Sequence, residues 1–356
     1  MNYIIFLILF VLGLFVAKPS FAIYDPLSVP NNKYGIHIVD PTDIADVAPL
    51  VNSSNGSWGY VTLVISEGDR NTDAWIKYFR QMDHLHLIPI VRLATHTEIG
   101  GWVKPKPEDI AQWVRFLKDL PWPTKNRYVI LFNEPNHAGE WGGSVNPEVY
   151  ADVVIQLAKA LKSANPDFFL LGAGLDASAP NGWTTMDEET FLRTIANSRP
   201  EYFDLLDGWT SHSYPNPGFS GSPHASGRGT LRTYDWELSL LKNLGVKKDF
   251  PVFITETGWA HTGFDWKSRL LSPETVAEYV TVAGQTVWND TRIAAVTPFL
   301  FQYIEPLFAM FSWLIPSNRQ PYPFYLAYQA IPKLAGDPMR NPLPEYLALL
   351  QFPLTL

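Results

Sequence analysis

Eight short apolar runs, each followed by a longer segment with helical punctuation, predict an α/β fold: a (β/α)8 (TIM) barrel forming a single domain. Three observations carry this. The runs begin about 25 to 45 residues apart, enough for one strand, one loop and one helix each time. Several are apolar on both faces, such as Val129-Ile130-Leu131-Phe132 and Val252-Phe253-Ile254, as buried parallel strands should be. No composition break, linker or repeat beyond this rhythm divides the chain.

Taken in order, the predicted strands are 34–39, 60–65, 88–93, 128–132, 168–172, 206–211, 251–255 and 295–301. Helices are expected over 72–86, with Thr72 and Asp73 as caps, and over 106–120, with Pro107 and Glu108 in the first turn. A further helix over 146–165 opens on Asn146-Pro147-Glu148, a cap followed by a first-position proline. Ser272-Pro273-Glu274 opens another in the same way, and a helix over 230–244 stops at Gly245. Residues 218–229, rich in Gly and Ser, read as a mobile loop after the sixth strand. A long aromatic stretch, 303–328, follows the eighth. The 30 prolines cluster at loops and helix starts, where they cost little.

Composition narrows the function. The 356 residues are 46% apolar and 17% charged, which excludes a disordered tail or a disulfide-stapled mini-protein. A net charge of −8 without a long basic run argues against a nucleic-acid partner. The absence of cysteine excludes thiol catalysis and thiolate metal sites. His84 and His86 do not share a helix face and no His-Glu-x-x-His occurs, so no metal is expected, and no cofactor is implied. No candidate strand finishes in lysine, which counts against Schiff-base chemistry.

At the N-terminus, 4–17 is almost uninterrupted apolar sequence, and Ser20-Phe21-Ala22 supplies small residues for cleavage after Ala22. This reads as a secretory signal peptide over 1–22, leaving 23–356 as the barrel and placing the protein outside the cytoplasm. An uncleaved membrane anchor is the alternative. Asn52, Asn55 and Asn289 head glycosylation sequons, relevant only in a host that glycosylates.

In such a barrel, chemistry sits at the C-terminal ends of the strands. The fourth strand ends Phe132-Asn133-Glu134-Pro135, and the seventh ends Thr255-Glu256-Thr257-Gly258-Trp259. Each places a glutamate directly after a buried apolar run, with Pro or Gly turning the chain away. Two carboxyl groups so placed can converge across the mouth. Glycosidic cleavage needs such a pair, one protonated and one ionised, about 5–5.5 Å apart for retention and about 6.5–9.5 Å for inversion. The simpler role for either glutamate is an ion pair with Arg92. His37 and Asp40 flank the end of the first strand and read as structural. Glu140, Asp176 and Asp265 lie in loops near strand ends without an assigned role. Trp141, Trp259 and Trp313 lie on or beyond strand-end loops, where flat faces stack on sugar rings.

These motifs resemble the retaining glycoside hydrolases of the large (β/α)8 superfamily that includes many cellulases, mannanases and xylosidases. Asn133-Glu134-Pro135, Glu256 and His212-Ser213-Tyr214 carry the resemblance, which spans about Tyr34 to Tyr303. It implies Glu134 as acid/base and Glu256 as nucleophile. Asn133 would bond the sugar 2-hydroxyl, Tyr214 would donate to the nucleophile, and His212 would line the site near the acid/base. It also implies an arginine from an early strand, taken here by Arg92 one strand later than expected. An aromatic is implied after strand eight, where Phe301-Gln302-Tyr303 stand and Trp313 substitutes for the usual Trp. The substrate is then a β-linked oligo- or polysaccharide, with oligomeric state left open. A non-catalytic carbohydrate-binding barrel at the cell surface is the competing reading.

Overall fold

A computed structural model of the chain describes residues 23–262 and 270–340. The signal-peptide expectation for 1–22 and the loop residue Asp265 lie outside the described residues. The strands are β1 (Gly35–Ile38), β2 (Gly59–Ser66), β3 (Leu87–Ala94), β4 (Arg127–Leu131), β5 (Phe168–Gly172), β6 (Trp209–His212), β7 (Val252–Glu256) and β8 (Ile293–Val296). All eight pair in parallel, β1 through β5 as one ladder and β6 through β8 as another. Two single parallel bridges join the ladders into a ring, Leu171 to Gly208 between β5 and β6, and Tyr34 to Val296 between β8 and β1. The eightfold barrel expectation holds.

The helices follow the strands in turn: α1 (Ile44–Val51), α2 (Thr72–His84), α3 (Pro107–Asp119), α4 (Pro147–Ala164), α5 (Glu188–Ser198), α6 (Glu201–Leu205), α7 (Thr233–Asn243), α8 (Pro273–Thr286) and α9 (Pro323–Ala330). Caps set their starts. Asn71, not Thr72, caps α2 by accepting from the Ala74 amide, and Asn146, Asp187 and Ser272 do the same for α4, α5 and α8. Helix α1 contains Pro49, which hides its period in the sequence, and α9 lies inside the aromatic stretch 303–328. No helix of the described residues is long and apolar enough to cross a membrane.

Strand alternation divides the apolar residues between two cores. Tyr60, Ile88, Ile90, Tyr128, Ile130, Phe169, Leu171 and Phe253 fill the barrel interior, with Tyr128 and Phe253 ring centres 5.5 Å apart. The alternate side chains, Val61, Val91, Val129, Leu170 and Ile254 among them, pack outward against the helices. Each fully buried apolar side chain contributes about 1.5–3 kcal/mol before conformational entropy is set against it. The plugged interior leaves only the mouth open for chemistry.

One strand differs from expectation. The eighth ends at Val296, not 301, because Pro298 has no N–H for the ladder. The chain still runs beside β7, with the Phe299 amide donating to the Thr257 carbonyl at 2.9 Å. The loop 218–229 is bonded to the segment after β7: Trp259 Nε1 donates to the Gly221 carbonyl at 2.8 Å, and the Ala260 amide to that of Phe219 at 3.0 Å.

Candidate active site

The end of β4 turns sharply. Phe132 has φ of 74° and Glu134 of 31°, both in the left-handed region that side-chain-bearing residues disfavour. The surroundings hold this geometry. The Glu134 amide donates to the Gly174 carbonyl at 3.1 Å, and the Glu134 carbonyl accepts from the His137 amide at 2.8 Å. The turn lifts the Glu134 side chain into the mouth. Glu256 arrives more simply, as the last residue of β7, with Gly258 at φ 129° bending the chain away.

The two glutamates meet. One oxygen of each, together with His212 Nδ1, lie within 4.8 Å of one another. His212, the last residue of β6, shares a 2.8 Å hydrogen bond from Nδ1 to Glu134 Oε1. Gly174 is required for this, since a Cβ there would stand 2.2 Å from His212 Cδ2. Glu256 is held differently. Arg92 Nη1 donates to its Oε1 at 3.1 Å and the Tyr214 hydroxyl donates to its Oε2 at 3.1 Å. Arg92 Nη1 also donates to Asn133 Oδ1 at 2.6 Å, and Asn133 Nδ2 donates to Glu140 Oε2 at 3.2 Å. The ion pair of Arg92 with Glu256 thus exists, and it leaves Glu256 open to the cavity.

Electrostatics separate the residues. Burial alone would push Glu256 up, but the charges of His212 and Arg92 and the Tyr214 hydroxyl outweigh it and hold the carboxyl below its ordinary value. Burial would lower His212, yet Glu256 and the bond to Glu134 raise it above the usual imidazole range. His37 is buried beneath, its Nδ1 3.9 Å from Glu256, and burial pushes it down to about 3, so it stays neutral. Glu134, His212 and Glu256 also have the spacing of a metal triad. Both Glu256 oxygens are already taken by Arg92 and Tyr214, and the guanidinium supplies the positive charge an ion would bring.

A cavity of about 480 Å³ opens over these groups. It brings together the predicted Arg92, Asn133, Glu134, Tyr214 and Glu256, with His212 beneath Glu134. Trp259 and Trp313 do not reach it. Trp259 is 3% exposed, packed against Tyr279 and Trp288. Trp313 is 4% exposed, edge-on to Phe324 and Tyr328. Both are core residues, because their loops fold back over the helices. Trp141 is likewise buried against Phe132 and Tyr150.

Sequence reasoning missed the walls. Trp102 sits in a two-residue-stranded hairpin after β3 and faces the cavity. Phe299 and Phe308 from the β8 loop, with Phe219 and Phe311, form an apolar side, Phe299 and Phe308 meeting edge-on at 5.4 Å. After β8 the cavity is thus lined by Phe299, directly after Pro298, and not by Phe301, Tyr303 or Trp313. Glu140, Asp176 and His137 make the polar side, with His137 Nε2 2.9 Å from Asp176 Oδ2. That bond raises the His137 pKa. Their place shortly after β4 and β5 was the available signal.

No protein-family model matches the chain, and no curated protein does. Solved structures do. A GH128 (subgroup II) endo-β-1,3-glucanase from Sorangium cellulosum matches with 17% identity and TM-score 0.52, over 85% of this chain and 98% of that one. One from Pseudomonas viridiflava matches with 14% identity and TM-score 0.51, over 84% and 98%. A GH5_18 protein from Streptomyces cattleya, in complex with Manβ1-4GlcNAc, matches with 13% identity and TM-score 0.60, over 85% and 80%. These neighbours are glycoside hydrolases on the same (β/α)8 scaffold. At such identities the likeness is one of fold.

Proposed function

We infer that the protein is a retaining glycoside hydrolase acting on a β-linked glycan. The observation that carries this is the convergence of Glu134 and Glu256 in one open cavity, each with a different set of partners. A gap of at most 4.8 Å between their nearest oxygens supports double displacement, since inversion needs room for a water at about 6.5–9.5 Å. Glu256, kept ionised, attacks the anomeric carbon, forming a carbon–oxygen bond as the glycosidic bond breaks. Glu134 gives its proton to the departing oxygen. In the second step Glu134 takes a proton from water, and the water oxygen displaces Glu256. The charge of Glu256 helps hold a proton on His212, beside Glu134, and that hold is lost once Glu256 is esterified. Asn133, oriented by Arg92 and Glu140, is placed for the sugar 2-hydroxyl.

The export reading belongs with this proposal: a leader over 1–22, cleaved after Ala22, and a mature 23–356 barrel working on an external polysaccharide. Sequencing the N-terminus of the cell-exported protein tests it.

The decisive experiment screens purified protein against laminarin (a β-1,3-glucan), β-mannan, xylan, galactan and matching nitrophenyl β-glycosides. Proton NMR of the first-formed product then reads its anomeric configuration. Net retention is expected. Inversion removes the double displacement, and binding without reducing-end release across the panel removes catalysis.

A further inference from the structure

Among the described residues one tryptophan stands free of the protein: Trp183 is 103% exposed, while the others are buried or half-buried. An indole in water is unfavourable unless something covers it. Trp183 is nevertheless rigidly presented. It lies in the turn between α5 and the β5 end, where the Gly182 amide donates to the Thr185 carbonyl at 2.9 Å and Thr185 Oγ1 donates to that of Pro180 at 2.7 Å. The turn is sewn onto the segment that follows Glu134. The Ala138 amide donates to the Thr184 carbonyl at 2.7 Å, the Met186 amide donates to that of Asn136 at 2.9 Å, and His137 bridges Thr185. His137 itself lines the catalytic cavity.

Direction follows from the chemistry. A proton donor must stand beside the departing oxygen, so the leaving group extends from the cavity on the Glu134 side, over the loops after β4 and β5. Trp183 occupies that side, beyond His137. We propose that Trp183 is a stacking platform for a sugar ring of the leaving-group portion of a polymeric substrate, outside the catalytic cavity. This rests on the glycoside hydrolase reading and makes the natural substrate a chain several residues long, not a small glycoside.

The test compares wild type, Trp183→Ala and Trp183→Phe on two probes: the polysaccharide cleaved fastest among laminarin, β-mannan, xylan and galactan, and its matching nitrophenyl glycoside. Trp183 does not line the catalytic cavity, in which the short nitrophenyl glycoside is bound. Trp183→Ala is expected to lower kcat/KM on the polymer about tenfold, mainly through KM, and to leave the nitrophenyl glycoside unchanged. Trp183→Phe should recover most of the loss. An active wild type with equal polymer kinetics in Trp183→Ala overturns this inference alone, as does an equal fall on both probes. A wild type active on a nitrophenyl glycoside but on none of the four polysaccharides also overturns this inference alone, whereas one inactive on the whole panel overturns the glycoside hydrolase reading, and this inference with it.

Discussion

Glu134 and Glu256 meet at the barrel mouth, while Glu188, opening α5, and Glu237, in α7, meet beside β6 with both side chains fully buried. The first pair is surrounded by Arg92, His212 and Tyr214 and opens onto a cavity. The second has Trp209 Nε1 donating to Glu237 Oε2 at 3.0 Å and little else. The surroundings act in opposite directions. Glu256 is held below its ordinary value, whereas burial and mutual repulsion push Glu188 well above it, and burial lifts Glu237 too. Two close carboxyl groups are therefore not in themselves a reaction centre. Solvent access and a cation distinguish the members of the first pair. Without them, burial raises both carboxyl groups of the second.

The largest expected contrast is in turnover. Glu256→Ala should lower kcat by roughly 10⁴-fold or more, whereas Glu188→Ala should leave it within a few-fold. Azide should restore part of the rate of Glu256→Ala, giving the glycosyl azide of inverted configuration. Near-normal rates in Glu256→Ala would dissolve the distinction between the pairs. Glu134→Ala should lose roughly 10²- to 10⁴-fold, least on nitrophenyl glycosides whose leaving group needs little protonation. A uniform loss across leaving groups would assign Glu134 a role other than acid.

A smaller effect tests the partner shell. Glu140→Ala removes the acceptor of Asn133 Nδ2 and should lower kcat/KM about tenfold. No change would mean that Arg92 alone orients Asn133.

The smallest effect is in stability, and its sign separates the pairs. The depressed Glu256 contributes stability present above the ordinary carboxyl value of 4.5 and lost as pH falls through its lower folded value. The raised Glu188 works the other way: stability falls as pH climbs above 4.5 toward its raised value. Glu188→Gln should therefore raise the thermal midpoint by about 2 °C at pH 8, with the gain vanishing at pH 4, as read by calorimetry. A gain independent of pH would locate its cause outside the titration of Glu188.

The barrel and the two glutamates that meet at its mouth were legible because strand period, caps and strand-end position are local properties. Glu134 and Glu256 each follow an unbroken apolar run, and Pro135 and Gly258 mark the turns. His212, Tyr214 and Arg92 were recoverable from the same strand ends. The aromatic walls were not. Whether a loop tryptophan faces a cavity or the helices depends on how the loop folds back, and Trp259 and Trp313 differ from Trp102 only in that. The sealed pair was invisible for a related reason. Glu188 and Glu237 sit on helices, and only the packing of α5 and α7 over β6 encloses them.

The ring of strands is a five-membered ladder and a three-membered ladder joined at two narrow seams, and the two glutamates of the mouth ride on different ladders. Each is gripped from across the divide: Arg92 of the larger ladder holds Glu256 of the smaller, and His212 of the smaller holds Glu134 of the larger. The bonds that hold the two glutamates thus form a pair of crossed rivets. Any slippage of one ladder along the other would change the gap that the chemistry depends on, and the same two bonds resist it.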